Sequence, residues 1–359
     1  MKKTRPLSLG PVPIGGGAPV AVQTMTDTDT RDPAATLAQI GRAARAGAEI
    51  VRVAVPDERA AAVLREIVQD SSVPLVADIH FDWRLAVRAA EAGAAGLRIN
   101  PGNIGGPEKT RAVAEAAGRH GAVIRVGVNS GSLEKEVLAR HGGSVTAEGL
   151  VESALNQVRL LEDTGFRDLK VSLKGSDVLT TVAAVRLWSQ VSDLPQHIGV
   201  TEAGDALEGA VKSAVGLGLL LAEGLGDTLR VSLTAPPEEE VRAAWALLRA
   251  LGLRSRGVEI ISCPTCGRVE GPVARLAQEA RRRLADITAP LKVAVMGCVV
   301  NGPGEARDAD AALALGRGHG QVYVGGRRVA ARAPYEKLID LLETKVRNKL
   351  EAEKLGHGD

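Results

Sequence analysis

Apolar residues fall along this chain in two alternating rhythms. Short β-branched runs (VAVQTM, IVRVAV, LVADIH, GLRINP, VIRVGVN, LKVSLK, HIGVTE and LRVSLT) have the length and composition of strands buried on both faces. Between them lie Ala-, Leu- and Arg-rich stretches with apolar positions at helical spacing, such as AATLAQIGRAARAGA, ERAAAVLREIV and AEGLVESALNQVRLLEDTG. The last of the series, PEEEVRAAWALLRALGL, carries Pro near its start and Gly near its end, as helix termini prefer. Ahead of the first strand, LSLGPVPIGGGAPV alternates apolar residues around Gly and Pro and predicts a short hairpin. Eight strands, each followed by a helix, within residues 1–253 predict an α/β fold of the (β/α)8 TIM-barrel type. A doubly wound open sheet is the rival, but it more often has fewer strands and a single switch-point site.

Beyond residue 253 the rhythm changes. VEIISC and LKVAVMGC read as strands with the helix VARLAQEARRRLAD between them. AALALG and QVYVGG read as two more strands, and YEKLIDLLETKVRNKLEAEK as a closing helix. Residues 254–359 therefore form a small α+β domain, with LGLRSRG as the linker and LGHGD as a disordered tail.

Composition narrows the function classes. With 45% hydrophobic and 25% charged residues and a net charge of +2, nothing draws the chain to nucleic acid or an acidic membrane surface. An aromatic content of 2% leaves little for stacking bases. MKKTRPLSLG lacks the apolar core of a secretory signal, and SAVGLGLLLAEGL is too short to span a bilayer and is broken by Glu223. Three cysteines are too few for a disulfide framework. The expected compartment is the cytoplasm.

Polar residues inside barrel strands need a reason. Here they recur at i and i+2, on one face of each strand: Asp78 with His80, Arg98 with Asn100, Arg125 with Asn129, Lys170 with Ser172 and Lys174, and Arg230 with Ser232. Arg52 and Glu202 hold comparable positions. All are expected near the C-terminal strand ends, where this fold builds its sites. Any one arginine is as readily a structural ion-pair member, but Arg52, Arg98, Arg125 and Lys174 from four strands, with few carboxylates to neutralise them, predict a doubly charged phosphorylated small substrate. DTDTRDP lacks the Gly and terminal Glu of a calcium loop and reads as a helix cap. GRGHG reads as a turn, and His120, His141 and His357 as surface residues.

The cysteines sit in ISCPTCGR and MGCVVNGPGE. Cys263, Cys266 and Cys298 flank strand ends, and a C-x-x-C pair with one distant thiol suits metal better than packing. No histidine lies between Cys266 and Cys298 to complete a zinc shell, whereas a [4Fe–4S] cluster tolerates three thiolates. Glu305 offers either an oxygen ligand or a helix-start charge.

SCPTCGR with VAVMGCVVNGPGEA resembles the cluster domain of the 4-hydroxy-3-methylbut-2-enyl diphosphate synthase family, in its compact two-domain bacterial form. QTMT, IVRVAVP, ADIHFD, LRINPGNIG, RVGVNSGSL, KVSLKGSDV, GVTEAG and GDTLRVSLT resemble that family's strand ends in order, with KGSDV in place of KASDV the one small departure. The resemblance implies a [4Fe–4S] cluster on Cys263, Cys266, Cys298 and Glu305, the last exchangeable so that substrate reaches the unique iron. It implies reductive ring opening and dehydration of 2-C-methyl-D-erythritol 2,4-cyclodiphosphate, with electrons from ferredoxin or flavodoxin. Arg52, Arg98, Arg125 and Lys174 would take the diphosphate, and Asn100, Asn129 and Ser232 would be neutral donors. Glu202, Asp78 and His80 would order proton transfers, and Asn301 would touch substrate beside the cluster. A head-to-tail homodimer, one barrel facing the partner's cluster, is also implied, with LGLRSRG as a hinge for closure. The rival readings are a zinc-ribbon interaction module, a simple iron–sulfur electron carrier and a hydro-lyase that needs no reductant.

Overall fold

The computed structural model describes residues 2–175, 177–201, 204–298, 304 and 307–356. They form two compact units, 1–254 and 255–359.

The first unit opens with the antiparallel hairpin of β1 (Leu7–Leu9) and β2 (Val12–Ile14). Eight parallel strands follow: β3 (Ala21–Met25), β4 (Ile50–Ala54), β5 (Leu75–Asp78), β6 (Gly96–Ile99), β7 (Val123–Asn129), β8 (Leu169–Lys174), β9 (His197–Ile198) and β10 (Thr228–Leu229). Their order is β8-β7-β6-β5-β4-β3-β10-β9. The ring comes round where the Val171 N–H donates to the Pro195 carbonyl at 2.9 Å and Val171 bridges Gln196. The expected barrel is present.

Register sets what fills it. Leu7, Leu9 and Ile14 pack on Ala21, Ile50, Val76 and Val123 and plug the N-terminal end with apolar groups. Advancing one residue per strand around the paired registers stacks the inward side chains in layers of four from alternate strands. Ile50, Gly96, Lys170 and Thr228 make one layer, Gln23, Val76, Arg125 and His197 the next, and Arg52, Arg98, Ser172 and Arg230 the one nearer the C-terminal strand ends. The outward residues, such as Val51, Val53, Leu97, Val126 and Leu229, belong to the apolar shell under the helices.

The helices start where short polar side chains cap them. Asp32, Asp57, Asp82, Asp177 and Asp205 each accept a hydrogen bond from a backbone N–H in the first turn of the following helix. DTDTRDP is thus a loop and cap, as its sequence predicts. The last two barrel strands are shorter than HIGVTE and LRVSLT suggest. After Leu229 one more ladder bond forms, Arg230 N–H to the Ile198 carbonyl at 3.0 Å. The Leu233 N–H then goes to Glu240 Oε1 at 3.1 Å, and the chain leaves the sheet.

In the second unit β11 (Val258–Ser262), β12 (Leu291–Met296) and β13 (Ala311–Gly316) are parallel neighbours. β14 (His319–Val324) runs antiparallel to β13, and the short β15 (Arg327–Arg328) and β16 (Ala333–Pro334) pair with β14. Helices Val273–Arg283 and Tyr335–Gly356 supply Leu276, Ala280, Leu338 and Leu342 to a core with Val293, Val295, Leu313 and Val322. Among the described residues no helix is long and apolar enough to cross a membrane.

Candidate active site

A cavity of about 200 Å³ opens at the C-terminal ends of the barrel strands, lined by Arg52, Asp78, His80, Arg98, Arg125, Gly127, Asn129, Ser172, Lys174, Thr201, Arg230 and Ser232. Five cations face it, and Asp78 is its single carboxylate among the described residues. Arg98 Nη1 stands 3.4 Å from Asp78 Oδ1, and His80 Nε2 lies 3.2 Å from Asp78 Oδ2. Arg98 Nη1 also reaches the His80 ring at 3.3 Å. With its amide oxygen turned to Arg98, Asn129 accepts from Nη2 at 3.2 Å.

This crowding shifts protonation. Burial pushes the Asp78 carboxyl up, but the His80 hydrogen bond and the Arg52 and Arg98 charges outweigh it and hold it below the usual carboxylate range. Burial, with help from Arg230 and Arg98, lowers Arg52 to about 10 against the pull of Asp78. Arg125 is lowered well below its ordinary value by burial and then by Arg52 and Arg98. Burial drives Lys174 down the same way, aided by Arg52, Arg230, Arg125 and Arg98. So many mutually repelling cations around one space make a site suited to a multiply charged anion.

Two glycines make room for the cations. A Cβ on Gly127 would stand 2.8 Å from Arg98 Nε, and one on Gly199 would stand 3.1 Å from Lys174 Nζ. Gly127→Ala is therefore expected to push the guanidinium out of place, at the ~1–3 kcal/mol typical of overpacking, and weaken inorganic pyrophosphate binding about tenfold. Isothermal titration against the wild type measures this; unchanged affinity would show that Arg98 needs no such cradle.

Arg230, noticed on its strand face but given no role by sequence reasoning, has the best-built support. Glu240 on the Pro237–Ala250 helix is 3% exposed. It accepts from Arg230 Nε at 3.0 Å and Nη2 at 2.9 Å, and from Thr24 Oγ1 at 2.7 Å. The signal was one buried Glu within PEEE, which composition alone cannot single out.

Several expected residues fall elsewhere. Lys170 is not at the strand ends: it lies two layers below Arg52 and Arg98, fully buried, with Nζ unpaired among the described residues. Burial and Arg125 bring it down to about 7, with Asp227 opposing. Asn100 is not among the residues lining the cavity; its Oδ1 accepts from the Gly102 N–H at 3.0 Å, and its buried Nδ2 has no hydrogen-bond partner among the described residues. His197, overlooked in HIGVTE, is buried with Nδ1 2.9 Å from Thr228 Oγ1. His141 is half-buried against Glu152 at 2.9 Å rather than on the surface. Glu202, Asn301, Glu305 and His357 lie outside the described residues.

The thiols belong to the second unit. None is in a disulfide. Cys263 Sγ accepts from the Gly297 N–H at 3.1 Å, and a Cβ on Gly297 would come within 3.3 Å of that sulfur. Cys298 follows directly and is buried, while Cys266 is exposed. Among the described residues no three His, Cys, Asp or Glu side chains are placed to hold one metal ion. Thiolates on separate irons of a cluster need not converge on a point as the ligands of one zinc ion must.

Comparison with known proteins covers both units. Residues 4–245 match the GcpE TIM-barrel domain, and residues 259–348 match the GcpE protein C-terminal domain. A protein of Lawsonia intracellularis named 4-hydroxy-3-methylbut-2-en-1-yl diphosphate synthase (flavodoxin) is 54% identical over 98% of both chains. One of the same name from Maridesulfovibrio salexigens is 58% identical over 94% of both. Among solved structures, a dihydropteroate synthase from Coxiella burnetii aligns with a TM-score of 0.51 over 69% of this chain and 97% of its own. At 12% identity that likeness extends to the fold alone.

Proposed function

The chain belongs to the GcpE family, and we infer from that membership that it converts 2-C-methyl-D-erythritol 2,4-cyclodiphosphate to 4-hydroxy-3-methylbut-2-enyl diphosphate in the methylerythritol phosphate route to isoprenoids. The reaction is a reductive ring opening with loss of water. The substrate dianion, two electrons and one proton become the product trianion and one water. The observation that carries the reading is the cavity in which five cations face one carboxylate.

Arg52, Arg98, Arg125 and Lys174 bind the diphosphate, and Asn129 and Ser232 add neutral donors. A dianion on Lys174 restores its charge by offsetting the neighbouring guanidiniums. Asp78 fixes the His80 ring beside Arg98, so the imidazole meets the substrate hydroxyl in one orientation. Glu202 moves the proton, Asn301 contacts substrate, and Asn100 braces the turn at Gly102.

Cys263, Cys266 and Cys298 suit an iron–sulfur cluster, being unpaired thiols on two loops, one already hydrogen-bonded to the backbone beside another. Glu305 would be the fourth ligand. When bound, a [4Fe–4S] cluster supplies the electrons one at a time and a Lewis-acidic iron. Flavodoxin, named in the relatives, is the electron donor. The resemblance implies a head-to-tail homodimer, and self-association as such is supported by Leu207, Val211, Val215 and Leu219, an exposed apolar stripe at every fourth position of the Ala206–Ala222 helix.

Anaerobically purified protein is expected to hold about four irons per chain, to absorb as a brown iron–sulfur protein and to turn over the cyclic diphosphate. It should also sediment at twice the chain mass. One zinc and no iron, even after anaerobic reconstitution, would replace this reading with a structural zinc module.

A further inference from the structure

The inward layers of the barrel continue one step beyond Arg52, Arg98, Ser172 and Arg230. Two residues on from Gln23, Val76, Arg125 and His197 stand Met25, Asp78, Gly127 and Gly199, so these four share the next layer toward the C-terminal strand ends. Gly127 and Gly199 have no side chain to offer the neighbouring cations. Side-chain contacts from this layer therefore come from Asp78 and Met25 alone. Asp78 serves Arg98 and His80. Met25 has no role in the functional reading above.

Met25 is half-buried at the end of β3 and lies directly across the ladder from Arg52. Strand β3 has β4 on one side and β10 on the other, which puts the thioether between Arg52 and Arg230. Its sulfur accepts from Arg52 Nε at 2.9 Å and from Arg230 Nη1 at 3.7 Å. The two guanidiniums differ in what else holds them. Both carboxylate oxygens of Glu240 hold Arg230. Arg52 has no ion pair among the described residues, and its bond to Met25 Sδ is the one hydrogen bond its side chain makes there.

A thioether is a weak and uncharged acceptor. It occupies Nε and so fixes the plane of the guanidinium, yet it neutralises none of the charge. Nη1 and Nη2 are left for an anion in the cavity that Arg52 lines. A carboxylate in the same place would pair with Arg52 and compete with that anion. An aliphatic side chain would fill the space and leave Nε–H without its acceptor. An arginine held in place before the ligand arrives also loses less rotamer freedom on binding.

We propose that Met25 is a positioning residue, whose thioether bridges Arg52 and Arg230 and presents the Nη1–Nη2 edge of Arg52, with its charge undiminished, to the diphosphate. The inference deepens the reading of the cavity as a diphosphate site and rests on it.

The test is made on the full-length holoenzyme. M25L keeps the volume and removes the acceptor, whereas M25Q restores an acceptor of similar reach. Isothermal titration with inorganic pyrophosphate is expected to show M25L binding about threefold to tenfold more weakly than wild type, and M25Q within about twofold of it. The KM for the cyclic diphosphate should rise in M25L by the same factor with little change in kcat, because Arg52 is positioned equally for bound substrate and transition state. A side chain that only filled space would give the reverse order, with Leu tolerated and the amide costly. Equal pyrophosphate affinity in M25L and wild type would overturn the proposal. So would a loss in M25Q as large as that in M25L, and M25Q decides the matter if M25L folds poorly. Failure of the wild-type protein to bind pyrophosphate would instead sink the reading of the cavity itself.

Discussion

Arg125→Met is expected to raise the melting temperature of the protein while lowering kcat/KM by roughly thirtyfold to five-thousandfold. Arg125 is 2% exposed, shares a layer with Gln23, Val76 and His197, and has Nε and Nη1 unpaired among the described residues. Burial and the Arg52 and Arg98 charges already work against its ionised form. Replacing such a cation with an apolar side chain of similar length commonly gains ~1–4 kcal/mol. In a unit of this size each of those is worth roughly 2–4 °C. On the proposed reading the diphosphate is the counter-ion for which the repulsion is held in place, and losing a buried fork to phosphate costs about 2–5 kcal/mol of binding. Scanning calorimetry without substrate and steady-state kinetics with it measure the two effects separately. A fall in melting temperature of similar size would mean that Arg125 is a structural member of the barrel and not a strained ligand.

How much of this was legible in the sequence depended on whether the cause was local. The barrel follows from β-branched runs alternating with 3.6-residue patterns, and Asp caps mark the helix starts, so element order was readable from neighbouring residues alone. The cationic mouth was readable because i, i+2 spacing puts Arg98, Arg125 and Lys174 on the inner face whatever the rest of the chain does. Depth was not. Lys170 and Arg98 both sit on inner strand faces, yet Lys170 lies two layers below Arg98, because the stagger between neighbouring strands, which no single strand's spacing shows, fixes their relative height. The early end of β10 and the support of Arg230 both come from Glu240, ten residues on and buried only once the helix docks. Asn100 divides its amide between the two cases, since a local turn takes its oxygen while its Nδ2, the donor expected to serve substrate, has no partner among the described residues.

The second large effect separates the two units. Cys298→Ser is expected to abolish iron incorporation and turnover while leaving pyrophosphate binding by the barrel within about twofold of wild type, since the cavity cations all lie in the first unit. The second unit should still fold. Its core is built from Val293, Val295, Leu313, Val322, Leu338 and Leu342, none of which depends on a thiolate, and a buried serine hydroxyl at a single site costs about 1–3 kcal/mol. Cys263→Ser should do the same to iron, with a further consequence for the loop. The Gly297 N–H now donates to Cys263 Sγ at 3.1 Å, and a serine oxygen, on a shorter bond from Cβ, reaches less far. Iron and sulfide analysis, circular dichroism and pyrophosphate titration of both variants, purified anaerobically, decide the matter. Retained iron with lost turnover would move Cys298 from cluster ligand to substrate-side group. Lost iron together with lost pyrophosphate binding would mean that the cluster unit is needed to shape the cationic mouth.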